Sequence, residues 1–550
     1  MIYSSLLYFV YNVRPINCLL TLSQPPLPTA GFALHYIILN LNNMASSAKR
    51  PRTQSPEDEN KGNQKGLYAK SYSRVSKHNL YMIIALWMED FVDAKAPKDH
   101  RKVGAVLVLP NDVIFAADCS RLDGVHAVAR LLMKHCDKAK GCKMFMSRKP
   151  CPICAKLLVQ SKVERVLFLP REPEYYRSPK VIKPDADEKA REEINNINDD
   201  NNTQMKQVDN MFTASVIAQT RFVLQVEKQV LADSVVKSGK TLAEIEKQIK
   251  KDKGKLMKTY DFKPEWIGSI EIIKKNLPWP AFDEDVQAEV LKYFDNVMEW
   301  MARAIALPSR ELNFEPAIKK TETTDGRDDD DAIDPVKNPT HAKQANHNTF
   351  DPVKNHTHAE QARHFMSIAR FLAQRTDDPT TGVGAVIVSR EMEILSFGWN
   401  GFPLKALYGE FPRASSKDDK SSKTEKPVGS DKSGEKKEPV KKKYPYVIHA
   451  EQNALLFRNN KNIKDAILFV TRTPCDECAP LIFMQGIETF VVDDDVFARD
   501  ATQKGALKYE EFTRKIKTDK SGKFVCFQTR EPEADPGPSK GRKDLFNPDI

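Results

Sequence analysis

A histidine followed 25 or 26 residues later by a Pro-Cys-x-x-Cys unit occurs twice in this chain, and that recurrence constrains its fold more than any other feature. His126 precedes Pro150-Cys151-Pro152-Ile153-Cys154, and His449 precedes Pro474-Cys475-Asp476-Glu477-Cys478. One imidazole and two thiolates suit tetrahedral zinc with a position left open for water. Donors so far apart in sequence meet only through tertiary structure, so each copy asks for a folded unit of its own. The flanks say which kind. In the second copy the strand-like GVGAVIVS (382–389) and ILSFGW (394–399) come first. His449-Ala450-Glu451 then opens the apolar helical pattern QNALLF, AILFVT (466–471) reads as a strand, and the cysteine pair opens APLIFMQ. Upstream the order repeats: VGAVLVL (103–109), VIFAAD (113–118), His126-Ala127-Val128 before ARLLMKH, KMFMS, the cysteine pair opening AKLLVQ, then RVLFL. The expected fold class is α/β: two three-layer α/β/α units with mixed sheets, joined by a helical segment and polar linkers.

The two copies differ at one chemically decisive position. Glu451 lies two residues after His449 at a helix start, where a carboxylate can take a proton from a metal-bound water and pass it to a leaving group. That is a hydrolytic arrangement. The matching position upstream is Val128, which exchanges no proton, so the first copy is expected to be chemically dead while His126, Cys151 and Cys154 remain candidates for a second zinc, with Cys142 or Cys136 as a fourth ligand. A third triplet, His358-Ala359-Glu360, is a decoy. It sits in a short tandem duplication (DPVKNPTHAKQANH from Asp334, DPVKNHTHAEQARH from Asp351), has no C-x-x-C about 25 residues downstream, and begins a helix whose apolar face continues through Phe365, Ile368 and Leu372.

His-x-Glu with Pro-Cys-x-x-Cys resembles the zinc-dependent cytidine deaminase superfamily. Asp378-Pro379, Asn400-Gly401-Phe402-Pro403 and Lys443-Tyr444-Pro445-Tyr446 make residues 357–528 similar to its deoxycytidylate deaminase branch. The resemblance implies zinc on His449, Cys475 and Cys478, Glu451 as proton shuttle, Asn400 at the sugar and the Ala450 backbone at the base. Tyr446 either stacks on substrate or packs. The implied reaction is hydrolytic deamination of a small cytosine nucleoside or nucleotide (cytidine, deoxycytidine, dCMP or dCTP) to its uracil counterpart, in a homo-oligomer. The alternatives are a cytosine deaminase acting on single-stranded DNA or RNA through the Lys-rich stretch 413–443, or a non-catalytic zinc scaffold. A departure from the branch is that same stretch, which carries eleven basic and six acidic residues where a substrate lid would lie.

At ~150 residues per domain, 550 residues give three to four domains. Composition shifts place a disordered extension at 1–74, a degenerate unit at 75–184, a helical connecting region at 185–318, a polar linker at 319–356, the catalytic unit at 357–528 and a disordered tail at 529–550. The polar tract DADEKAREEINNINDDNN from Asp185 reads as a linker or an insertion, and apolar spacing over 205–310 (Met211, Val216, Phe222, Val226, then Val290, Phe294, Val297) reads as helical. Nine cysteines, an odd and sparse count, argue against a disulfide framework and for a reducing compartment. The apolar start is broken by Asn12, Arg14 and Pro15, so no membrane span is expected. Met44 is a second candidate start, and a mitochondrial presequence is the weaker reading of the same stretch. The basic runs at Lys49-Arg50-Pro51-Arg52, Lys441-Lys442-Lys443 and Arg514-Lys515 lead us to expect both cytoplasmic and nuclear locations.

Overall fold

The structure, a computed structural model, describes residues 75–178, 188–226, 242–262, 284–306, 313–317, 350–376, 378, 381–403, 446–493, 507–519 and 521–530. The stretch 1–74, the insertion 413–443, the repeat's first copy and residues 531–550 lie outside the described residues.

The first unit runs α1 (Lys77–Met88), β1 (Gly104–Val108), β2 (Ile114–Cys119), α2 (Ala127–Lys134), β3 (Lys143–Met146), α3 (Pro152–Gln160), β4 (Arg165–Phe168), α4 (Glu188–Ala214) and β5 (Ala218–Arg221). Next come α5 (Leu242–Tyr260), α6 (Glu284–Ala306) and β6 (Asn313–Pro316). The second unit repeats the order of the first: α7 (His356–Ala373), β7 (Gly384–Val388), β8 (Ile394–Trp399), α8 (Ala450–Leu456), β9 (Ile467–Val470), α9 (Ala479–Met484), β10 (Thr489–Val492), α10 (Glu510–Thr518) and β11 (Val525–Arg530). The first sheet is ordered β2-β1-β3-β4-β5 and the second β6-β11-β10-β9-β7-β8. In each, the hairpin and the next strand are antiparallel and the strands after it parallel, as in β7–β9 and β9–β10. Both sheets are therefore mixed, as expected.

Every residue of β1 and of β7 is buried, because helices cover both faces. Alternation still divides the faces. Val386 and Val388 point into the core shared with α7, and Ala385 and Ile387 into the core under α8 and α9. Gly104 and Gly384 fill equivalent positions, and a Cβ there would lie 2.0 Å from the Ala85 carbonyl oxygen and 1.9 Å from that of Ala369. Both first helices thus rest directly on their strands.

Two expectations need correction. The tract from Asp185 is no linker from Glu188 onward, since it forms the first half of α4, whose buried stripe Ile197, Met205, Val208 and Phe212 covers the first sheet. The segment after it is not wholly helical either: β5 pairs in parallel with β4, and Phe222, Val223 and Val226 follow it as extended chain packed on the core. The first unit therefore continues past residue 184 to at least Arg221. Likewise β6, from the connecting region, pairs with β11 and joins the second sheet.

Residues 71–550 form one compact unit, in which α1, α5, α6 and α7 share a core. The Trp87 indole N–H donates to the His364 carbonyl (3.2 Å), and its ring stacks on the His364 imidazole at 5.7 Å. Phe91 and Phe365 enclose the same ring. Burial pushes the His364 pKa down to about 3 from an ordinary 6.5. Unfolded chain therefore takes up a proton near pH 6.5 that folded chain refuses until near pH 3. Stability is complete above that upper value and falls as pH drops through the window, by up to ~1.4 kcal/mol per pH unit. Between pH 7 and pH 5 the wild-type chain should lose about 2 kcal/mol more than His364→Leu in urea unfolding. Equal losses would contradict this account of the interface.

Candidate active site

The C-terminal end of β8 and the first turn of α8 set the site's geometry. His449 caps α8 in extended conformation, with its backbone N–H donating to Gln452 Oε1 (3.0 Å). The Ser396 hydroxyl donates to the Ala454 carbonyl (2.5 Å) and Asn453 Nδ2 to the Trp399 carbonyl (2.7 Å), which fixes α8 on β8. Between them Gly398 leaves room for the helix, because a Cβ there would meet Ala450 O at 2.1 Å. The cysteine loop leaves β9 and turns on a Cys478 N–H to Cys475 carbonyl bond (3.0 Å) into α9. Asp476 anchors residues 508–511 to that loop by accepting from the Glu511 N–H and donating its own N–H to the Lys508 carbonyl.

His449 Nδ1 thereby lies 3.3 Å from Cys475 Sγ and 3.2 Å from Cys478 Sγ, all three buried. A tetrahedral zinc with N/O ligands near ~2.0–2.2 Å and S ligands near ~2.3 Å has donor-to-donor edges of roughly 3.3–3.8 Å. These donors fit such an ion in chemistry, with one spacing at the lower edge of that range and the other ~0.1 Å short of it. The Cys475 thiol is drawn down to about 4 by the hydrogen bond from Cys478, against burial. That same bond and burial push Cys478 up. Burial opposes a charge on His449, yet contact with Cys475 holds its pKa above the ordinary value. Glu451 is buried beside them, and loss of solvent raises its carboxyl to about 7.

The cleft above these groups is lined by Asn400, Ala450 and Glu451, together with Asp378, Thr381, Arg472, Thr473 and Tyr509. Asn400 is buried, with Oδ1 accepting from Val383 N (2.7 Å) and Nδ2 donating to Thr381 O (2.9 Å) and Asp378 Oδ2 (3.4 Å). It braces the loop before β7 as well as facing the cleft. Tyr446 stands elsewhere, being 38% exposed and outside the lining. Among the described residues Tyr509, which no local motif marks, is the aromatic residue in the cleft lining.

The first unit gathers a second donor group. His126 caps α2 and Cys151 caps α3, and His126 Nδ1 is 3.4 Å from both Cys151 Sγ and Cys154 Sγ. Val128 packs in the apolar core beside Leu131 and Leu132. Neither expected fourth ligand is there, since Cys142 donates to the Lys138 carbonyl (2.9 Å) and Cys136 is exposed. Instead Glu174, from the loop after β4, joins the three donors, with Oε1 3.0 Å from His126 Nδ1. At the decoy, His358 Nδ1 accepts from Asp351 N (3.0 Å) and Glu360 is an exposed partner of His356. Among the described residues no metal-ligating group of three or more includes them.

A mixed sheet with His-Cys-Cys donors and an acid at the helix start defines a zinc-dependent deaminase fold. Residues 76–170 and 359–493 match the cytidine and deoxycytidylate deaminase zinc-binding region. The cytidine and dCMP deaminase domain-containing protein 1 of Danio rerio is 25% identical over 451 residues, 76% of this chain and 84% of that protein. A probable deoxycytidylate deaminase of Drosophila melanogaster is 32% identical over 186 residues, 33% of this chain and 84% of the relative. Among solved structures, the apo dCMP deaminase of cyanophage S-TIM5 is 20% identical with a TM-score of 0.20, over 31% of this chain and 96% of that one. The chain belongs to the cytidine and deoxycytidylate deaminase family, and its cofactor is zinc.

Proposed function

We propose that the second unit removes the 4-amino group of a free cytosine nucleotide by hydrolysis, giving the uracil nucleotide and ammonia. The observation that carries this reading is Glu451, a buried carboxyl with a pKa near 7, at the floor of a cleft beside His449, Cys475 and Cys478. In this reading those three side chains hold the zinc, which when bound supplies a water acidic enough to be deprotonated near neutral pH. The Glu451 carboxylate would relay two protons in turn, one from that water to ring nitrogen N3 and then the remaining hydroxyl proton to the amino group. The oxygen first adds to C4 as N3 is protonated, and the C4–N bond then breaks as C4=O forms, releasing the protonated amine as ammonia. The Ala450 backbone, at the first position of α8 and in the cleft lining, would meet the base edge. Asn400 Oδ1, with one lone pair beyond its bond to Val383, accepts from a sugar hydroxyl.

Arg472, an exposed residue of the cleft lining, favours a phosphorylated substrate over a bare nucleoside, since planar forked guanidinium donors match phosphate oxygens. Relatives named deoxycytidylate deaminases support the same class. Purified full chain should convert dCMP or dCTP, followed by separation of the uracil product, faster than cytidine or deoxycytidine, and should leave a cytosine-containing single-stranded oligonucleotide unchanged. Conversion of the oligonucleotide alone, or of no cytosine compound by zinc-loaded protein, would refute the proposal.

A further inference from the structure

We infer that the first unit carries a closed structural zinc site in which Glu174 occupies the fourth position, the one that the second unit leaves to water. The donors are His126 Nδ1, Cys151 Sγ, Cys154 Sγ and a Glu174 carboxylate oxygen, all within 4.8 Å of one another. His126 Nδ1 lies 3.4 Å from each sulfur, and Glu174 Oε1 lies 3.6 Å from Cys154 Sγ and 3.0 Å from His126 Nδ1. Three of these edges fall in the range of roughly 3.3–3.8 Å that a tetrahedral zinc requires, and the fourth needs only a small outward shift. Among the described residues the corresponding group in the second unit has three donors.

Glu174 is built into this place. Its side chain is 1% exposed. Its backbone is held on both sides, the N–H donating to Lys149 O (2.8 Å) and the carbonyl accepting from Arg101 N (2.7 Å). Oε2 accepts from the Cys151 N–H (2.8 Å), which leaves Oε1 facing His126 and Cys154. A buried carboxylate is costly unless it is paired or coordinates a metal, and here two cysteines share its pocket with one imidazole. The His100 ring covers His126 at a centroid distance of 4.7 Å and is itself backed by Tyr175 at 5.2 Å. Val128 completes the argument: a site whose fourth position is filled by protein activates no water, and an acid beside it has nothing to relay. Zinc there ties together the starts of α2 and α3 and the exit from β4, three segments far apart in sequence, and so stiffens the unit whose α1 supports α7.

Zinc analysis of the purified full chain should find about two ions per chain, one released quickly to a chromogenic chelator and the other at least ~10-fold more slowly, because an open site exchanges ligands more readily than a closed one. Cys475→Ser should remove the fast ion. Glu174→Gln should keep the fold by circular dichroism and turn slow release into fast. A slow ion released at its original rate from Glu174→Gln, or a single ion lost with Cys475→Ser, would overturn the inference. Should Glu174→Gln fail to fold, cobalt in the slow site of the Cys475→Ser chain decides. Its visible spectrum should ignore azide and stay constant between about pH 6 and pH 9, where a bound water would titrate. Any response to either would overturn the assignment of Glu174.

Discussion

Glu451→Gln is expected to lower kcat by ~10²–10⁴-fold while leaving zinc content unchanged. The amide keeps the size and hydrogen-bonding reach of the acid, including its contact with Cys478, and is not itself one of the three donors, so the proton shuttle is what is lost. Burial is what fits Glu451 to its task, since a carboxyl near pH 7 can both take and give a proton at neutral pH. Its position at the start of α8, one residue past Ala450, places it at the metal-facing floor of the cleft. Steady-state turnover with metal analysis on the same preparation checks both halves. Loss of zinc along with activity would make Glu451 a ligand, and retained turnover would remove it from the mechanism.

Gly398→Ala should cost about 100-fold in kcat through geometry alone. The added Cβ would lie 2.1 Å from Ala450 O, 2.6 Å from Ala454 N and 3.0 Å from Ala454 Cβ. Two of these are backbone atoms of α8, so no side chain can swing aside, and the helix that carries His449 and Glu451 must move. A displacement of ~1 Å between reacting groups costs on the order of 10²-fold. The affinity for zinc should fall too, since His449 moves relative to the cysteines. Kinetics of the variant with saturating zinc isolate the first effect, and a rate equal to wild type would show that α8 is not positioned by this contact.

Residue types alone revealed much of this molecule, for identifiable reasons. β8 starts and ends where its sequence pattern does because ILSFGW is β-branched and aromatic between turn residues. His449, Cys475 and Cys478 could be paired from sequence because a helix start and a C-x-x-C turn have local signatures. α4 was hidden because only a narrow stripe of it is buried, leaving acidic and amide residues to dominate its composition. β5 and β6 were hidden because AQTR and NFEP join their sheets through backbone bonds and bring little apolar surface. Glu174 and Tyr509 arrive from loops whose positions are set by long-range contacts, and no spacing rule connects Glu174 with Cys154. Gly398 looked like an ordinary strand residue until the helix above it was in view.

The division of labour between the units is tested most directly by assaying Val128→Glu in the Glu451→Gln chain against dCMP and dCTP, with Glu451→Gln alone as the baseline. The new carboxyl restores the missing residue at the equivalent position, but it enters an apolar core beside a site whose fourth position Glu174 fills. The account predicts no uracil product above that baseline. Turnover above the baseline would mean that the first unit keeps a working pocket and an accessible water, which would contradict its assignment as the structural partner of a single catalytic unit.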